Sequence, residues 1–353
     1  MRERIRVGIT HGDYNGISYE IIMKAFSDST MNEFFTPIVY GSSKAAAYYR
    51  KALDMENFNF NLINDANEAN PKRTNIINVV GDNVKVEIGT LSPAAGIASV
   101  NALDAAVADL QQGKIDVIVT CPINKFSSYS EKHHFPGHTE YFASKFEAED
   151  FMMLMVSDLM KVGFVTGHIP IKDIATTINK DLILKKLSII NKSLQNDFMI
   201  RAPRIAVLSL NPHNGDKGLL GDEEINIIAP AIEEAKRDNI LAFGPYSPDG
   251  FFASGTFSEF NAILAMYHDQ GMIPFKSIGL PGGVNYTAGL PIVRTSPAHG
   301  TAYDIAGKGI ADPTSLRDAI FLATEIHKNR EIQDEITANP LQIRTNHQKR
   351  SLE

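Results

Sequence analysis

The chain has 353 residues, 44% of them hydrophobic and 21% charged, with a net charge of −7. That length suits one large α/β domain or two sharing a fold, and the composition is ordinary for a globular protein. The negative balance and the lack of any Lys/Arg cluster argue against a nucleic-acid surface, so positive charges that meet an anionic substrate must be local.

No apolar run approaches the roughly 18 residues of a membrane span. The single cysteine, Cys121, excludes an internal disulfide framework. The charged start Met1-Arg-Glu-Arg-Ile-Arg6 leads into Val7-Gly-Ile9 with no signal-type apolar region, so the expected compartment is the cytoplasm.

In chain order, residues 4–10 read as a strand that opens into the glycine-rich loop His11-Gly-Asp-Tyr-Asn-Gly16, followed by a helix over Tyr19–Ala25. Phe35–Gly41 is a second strand. This alternation predicts a mostly parallel sheet. Residues 54–75, rich in Asn and Asp, read as a surface excursion. From Pro93 the spacing of Ile97, Val100, Leu103, Val107 and Leu110 predicts an amphipathic helix, with Gly113 as its stop. Ile115–Thr120 is a strand ending in Cys121-Pro-Ile-Asn-Lys125, which sets Asn124 and Lys125 just past it.

Phe135–Glu140 reads as a turn and a helix start. Three strands then end alike: Lys161–Gly167 in His168, Arg204–Leu210 in Asn211-Pro-His213, and Ala262–Met266 in His268-Asp-Gln270, with Gly271 allowing a turn and Lys276 beyond it. A glycine-rich stretch, 279–283, precedes Val284–Gly289 and the apolar run Leu290-Pro-Ile-Val-Arg294. After the segment 298–309 a helix spans Ser315–Asn329, and the last dozen residues are polar and read as frayed.

A lone histidine is ordinarily a hydrogen-bonded surface or core residue. Three at the ends of strands in one sheet point to a divalent metal, zinc most naturally, with one coordination position left open. Asp269 and Asp249 are candidates for orienting those ligands, although Pro248-Asp-Gly250 alone would make Asp249 a turn residue. Lys276, Arg294 and Asn285, with His138 and Thr139, form a candidate nest for a phosphate or carboxylate. Gly-x-Gly-x-x-Gly and the P-loop are both absent, and Gly215–Gly221 has the wrong spacing. From the residues alone the reading is a metal-dependent α/β enzyme acting on a small anion.

Six motifs in order resemble the 4-hydroxythreonine-4-phosphate dehydrogenase family of pyridoxal phosphate biosynthesis. They are Gly12-Asp13 with Gly16 and Glu20, Thr120–Lys125, Gly137-His-Thr-Glu140, Leu210-Asn-Pro-His213, Tyr267-His-Asp-Gln-Gly271, and Arg294–Thr301. The resemblance runs from Val7 to Asp312. The segment His299–Asp312 is also similar to the adenine-side loop of isocitrate and isopropylmalate dehydrogenases, which bind NAD(P) without the glycine fingerprint. The first loop departs from the family's Gly-Asp-Pro-Ala-Gly-Ile-Gly-Pro-Glu at Tyr14, Asn15, Ser18 and Tyr19, but keeps Asp13 and Glu20.

The resemblance implies an α/β fold of the isocitrate/isopropylmalate dehydrogenase type, with two α/β domains sharing a mostly parallel sheet core and a cleft between them. Residues 1–125 plus 290–353 would form the cofactor side, and 126–289 the metal, substrate and dimerisation domain. His168, His213 and His268 would be metal ligands for zinc, magnesium or cobalt. His138, Thr139, Lys276, Asn285 and Arg294 would hold the substrate, and His299, Gly300, Thr301 and Asp304 the NAD or NADP. Candidates for the proton-accepting group are His138, Asp269 and Lys276. The family is a homodimer whose site the second subunit completes. The implied reaction is oxidation of 4-phosphooxy-threonine at its secondary alcohol followed by decarboxylation. Dehydrogenases of the same family for phosphorylated threonate, erythronate or a cyclic diol carboxylate are rivals, as are a phosphotransacetylase and a catalytically inactive binding protein.

Overall fold

The computed structural model describes residues 4–81, 84–128, 137–279 and 282–339. Phe135 and Pro136 of the expected turn, Leu280 and Pro281 of the glycine-rich stretch, and the polar tail from 340 onward lie outside these residues.

Twelve strands form one sheet: β1 Arg6–Thr10, β2 Thr36–Gly41, β3 Asn61–Ile63, β4 Asn75–Asn78, β5 Val117–Thr120, β6 Met152–Val156, β7 Lys161–Phe164, β8 Arg204–Leu208, β9 Leu241–Tyr246, β10 Ala262–Ala265, β11 Val284–Ala288 and β12 Arg294–Pro297. Their order across the sheet is β3-β4-β2-β1-β5-β12-β11-β6-β7-β10-β8-β9. The outer blocks are parallel, as the alternation of strand and helix predicts. The centre is not: β11 runs antiparallel to both β12 and β6, and β6 antiparallel to β7. Three reversals leave the two parallel blocks pointing in opposite senses. The α/β class stands; the antiparallel centre was invisible in the sequence.

Most predicted elements are present, with instructive exceptions. Residues 54–75 are not wholly an excursion, because β3 pairs with β4 at the sheet edge. The buried Asn75 organises this corner: its amide donates to the carbonyls of Pro37, Asn70 and Arg73, and its oxygen accepts from Asn61. The helix Pro93–Gln111 buries Ala95, Ala98, Ala102 and Ala106 and turns Ile97 outward. The helix is where the apolar spacing predicts it, with Val100, Leu103 and Val107 buried beside those alanines; only Ile97 of the predicted stripe faces out.

The largest correction concerns Gly271, which makes no turn. It lies inside a helix, His268–Ile278, and a Cβ there would sit 2.7 Å from Val162 and 2.8 Å from Phe164. Glycine lets the helix rest on β7 and β10. Lys276 therefore falls in that helix's last turn rather than after a strand. No helix of the described residues is long and apolar enough to cross a membrane.

Candidate active site

The central antiparallel strands carry a cleft on one of their faces. The register sets Asn285 of β11 beside Ser296 of β12 and Met155 of β6. Because side chains alternate along a strand, Arg294, Met153 and Thr120 point to that same side. Over this floor lie Lys125 and the segment Gly137–Glu140 on one flank, and His168, His268 and Met272 on the other. Ala298, His299 and Gly300, leaving β12, close an end. The cavity holds about 230 Å³.

Arg294, which closes the apolar run from Leu290, is the first residue of β12 and is only 1% exposed. Its guanidinium donates from Nε (3.1 Å) and one terminal nitrogen (2.6 Å) to the Thr120 hydroxyl, and from the other to Thr287 (3.2 Å). Among the described residues no carboxylate pairs with it. Burial pushes its pKa down to about 9, with Glu140 opposing the shift. A buried cation served only by neutral hydroxyls is ready to gain from an anion.

Among the described residues, three buried polar atoms around the same cleft have no hydrogen-bond partner: His138 Nε2, Asn285 Oδ1 and His299 Nε2. Unpaired buried groups are rare in folded proteins, so three around one cavity mark a place where a ligand supplies the partner. Burial holds the His138 imidazole well below its ordinary pKa, helped by the positive charges of Arg294 and then Lys125. Burial likewise lowers His299, against its own contact with the Gly300 carbonyl. His138 is thus a neutral imidazole with a free nitrogen. A wider groove of about 980 Å³ lies elsewhere, between residues 146–150, 185–197 and 330–334, and carries none of these unpartnered atoms.

The three strand-end histidines follow β7, β8 and β10, which are parallel neighbours ending at one edge. The rings of His168 and His268 lie 5.2 Å apart, centroid to centroid. Zinc–nitrogen bonds of about 2.0–2.1 Å at a tetrahedral angle place two ligating imidazole centroids roughly 5 Å apart. Burial, then Lys125 and His268, lower the pKa of His168 and favour the neutral form a metal needs. His268 Nδ1 meets Asp269 Oδ1 at 2.7 Å. That contact leaves Nε2 as the lone-pair nitrogen, the arrangement usual for a ligating imidazole. Gln270 ties the two strand ends together, accepting from Met266 N and donating to Ser209 O, both at 2.7 Å.

His213 does not join the pair. Among the described residues no three His, Cys, Asp or Glu side chains are close enough to hold a metal ion. His213 stands exposed at the start of a left-handed turn after β8, the strand next to β10. The donor set fits a divalent cation at two corners, with the third on an adjacent arm. Asp249 is exposed in the first turn of the helix Pro248–Ala253. Its carboxyl is held below the usual range by the Ser247 hydroxyl, then by the Gly250 N–H, with His213 a smaller influence.

Thr139 lines the cleft as expected. Lys276 does not: it is exposed, eight residues along the helix from His268. Asp269 is turned to His268. Gly300 lines the cleft beside His299, whereas Thr301 accepts a bond from Ile17 N at 3.0 Å and so fixes the first loop. Asp304 is exposed and outside the cavity. Sequence reasoning overlooked Lys125, Glu140, Thr120 and Ser296 as cleft residues. For Lys125 a signal existed, a cation just past a strand, but nothing distinguished it from a solvated lysine.

A family model described as pyridoxal phosphate biosynthetic protein PdxA matches residues 33–323. The 4-hydroxythreonine-4-phosphate dehydrogenase of Bacteroides thetaiotaomicron is 53% identical over 339 residues, 96% of this chain and 93% of that one. The enzyme of the same name from Aquifex aeolicus is 41% identical over 321 residues, 91% and 98% of the two chains. The crystal structure of 4-hydroxythreonine-4-phosphate dehydrogenase from Klebsiella pneumoniae superposes with a TM-score of 0.79 at 32% identity, covering 92% of this chain and 98% of that one.

Proposed function

The chain belongs to the pyridoxal phosphate biosynthetic protein PdxA family, and from that premise we propose how its cleft works. The protein is a dehydrogenase of that family. Its reaction is NAD(P)-dependent oxidation of 4-phosphooxy-L-threonine at the 3-hydroxyl, followed by loss of carbon dioxide to give 3-amino-2-oxopropyl phosphate. The observation that carries this reading is the buried Arg294, without a carboxylate partner, among three unpartnered polar atoms. That set calls for a small, polar, anionic ligand.

Arg294 binds an anionic group of the substrate, and Asn285 and Thr139 orient it from the floor and wall. His138 Nε2 accepts the proton of the substrate hydroxyl, because burial and neighbouring cations keep the imidazole neutral. Oxidation turns the alcohol into a ketone β to the carboxylate. The carboxylate then leaves as carbon dioxide, and the adjacent carbon takes a proton. A divalent cation, zinc in the first instance, would be held by His168, His268 and, from its neighbouring arm, His213, and would supply Lewis acidity to the hydroxyl and to the decarboxylation product. NAD(P) would be held by His299 and Gly300, with Thr301 fixing the loop behind them.

Reversal of strand direction at β11 supports a division into residues 1–125 with 290–353 and residues 126–289, since β12 belongs to the first block and β6–β11 to the second. The working form in this reading is a cytoplasmic homodimer that shares its site between subunits. The test is chelation. Protein stripped of divalent cations should fail to reduce NAD with 4-phosphooxy-L-threonine and should recover on adding one. Turnover unaffected by stripping sinks the metal role.

A further inference from the structure

We infer that Glu224 is the positioning residue of the His213 arm, acting on the metal site without touching it; the inference rests on the reading of His213 as a ligand.

The arm is an unusual piece of backbone. His213, Asn214, Gly215, Asp216, Lys217 and Gly218 all have positive φ, at 51°, 57°, 73°, 43°, 58° and 96°. Left-handed conformations disfavour each non-glycine residue, and a run of them persists only when its surroundings impose it. Glu224 is what imposes it here. It is 2% exposed, at the start of the π-helical turn Glu224–Ile228. One carboxylate oxygen accepts the backbone N–H of Leu210 (2.8 Å) and of Asn211 (2.7 Å), just before His213. The other accepts the Asn211 side-chain amide at 3.0 Å, which also donates to Glu223 at 2.6 Å.

The same carboxylate fills the inside of the turn. A Cβ on Gly215 would meet its Oε2 at 2.6 Å. Gly215 O in turn accepts from Gly218 N and Leu220 N. Both limbs of the loop are thus wrapped on one buried side chain. A link runs onward to the other ligands, because Ser209 O, one residue before Leu210, receives the Gln270 amide that also holds Met266 N at the start of the His268 helix. Losing the carboxylate would free Leu210 N and Asn211 N and let the turn relax to ordinary right-handed or extended backbone. His213 would then swing from the arm's set direction.

The test is metal affinity, read by calorimetric titration of metal-free protein with zinc or cobalt(II), in E224A, E224Q, H213A and the E224A/H213A double variant. Weakening of about 10- to 100-fold is expected for E224A, the range typical of removing a group behind a ligand. E224Q keeps one acceptor oxygen and should fall between E224A and the parent. The double variant should bind metal no more weakly than H213A, since Glu224 acts only through His213. Inorganic phosphate affinity at Arg294 should stay within about twofold in all of them. Unchanged metal affinity in E224A while H213A weakens overturns the role of Glu224. Additive losses in the double variant do so too. If H213A itself binds metal like the parent, the ligand reading of His213 fails and takes this inference with it. Should E224A not fold, E224Q decides by the same criteria.

Discussion

Replacing Arg294 with methionine should make the empty protein more stable and the working protein inactive. The guanidinium is fully buried, and loss of water lowers its pKa from 12.5 to about 9 against the opposing charge of Glu140. It remains charged near neutral pH, so the ligand-free fold bears the whole cost. A drop of that size corresponds to roughly 5 kcal/mol at 1.36 kcal/mol per unit. Methionine leaves the Thr120 and Thr287 hydroxyls without their donors, a loss of about 1 kcal/mol each. Imperfect filling of the guanidinium's space takes a further part, so a net gain of about 1–3 kcal/mol is expected, in the range seen when buried charges become apolar. For a chain of 353 residues this raises Tm by about 1–4 °C. The assay is thermal unfolding with and without inorganic phosphate. The parent should melt lower than R294M in phosphate-free buffer and gain from phosphate, while R294M should ignore it. An R294M protein that melts below the parent and responds equally to phosphate would refute the reasoning.

Two other groups make separate claims. For H138N, kcat should fall by about 10²–10⁴-fold if His138 accepts the hydroxyl proton. Because burial holds its pKa well below the ordinary value, the acid limb of kcat/KM that belongs to it should lie below pH 6.5; an inflection near about 6.5 that disappears in H138N contradicts this. His11 is buried between Tyr14 and Tyr19, and its pKa is lowered from 6.5 to about 4. The unfolded chain therefore takes up a proton that the folded one refuses, so stability is complete above pH 6.5 and is lost as pH falls towards 4. About 2 kcal/mol should be gone by pH 5, and H11F should flatten that part of the urea-midpoint profile. Equal slopes in parent and H11F would show that His11 does not titrate this way.

The sequence carried the three histidines at strand ends because an apolar run broken by a polar residue is a local signal. Their strands proved to be parallel neighbours. It did not carry the cleft. Arg294, Asn285, Thr120 and Met155 share a face only through the register of β5, β12, β11 and β6, and register is a non-local property. Lys276 was misplaced for a related reason. The helix from His268 depends on Gly271 resting against Val162 and Phe164, a contact more than a hundred residues away along the chain. Lys125, seen just past its strand, and Glu140, inside a quoted motif, carried no cleft role in the sequence because an isolated charge there reads like any solvated one. The left-handed turn after Asn211 was likewise hidden: Asn214 and Gly215 permit it, but the buried carboxylate of Glu224 enforces it.

The proposed reaction takes an amino acid as substrate and couples its oxidation to decarboxylation. Its most direct test compares kcat/KM for 4-phosphooxy-L-threonine and 4-phospho-D-threonate side by side, with NAD and a divalent cation, following reduced cofactor and carbon dioxide together. A clear preference for the amino acid is expected, with one carbon dioxide for each NAD reduced. Faster turnover of the threonate, or cofactor reduction without carbon dioxide, would contradict it.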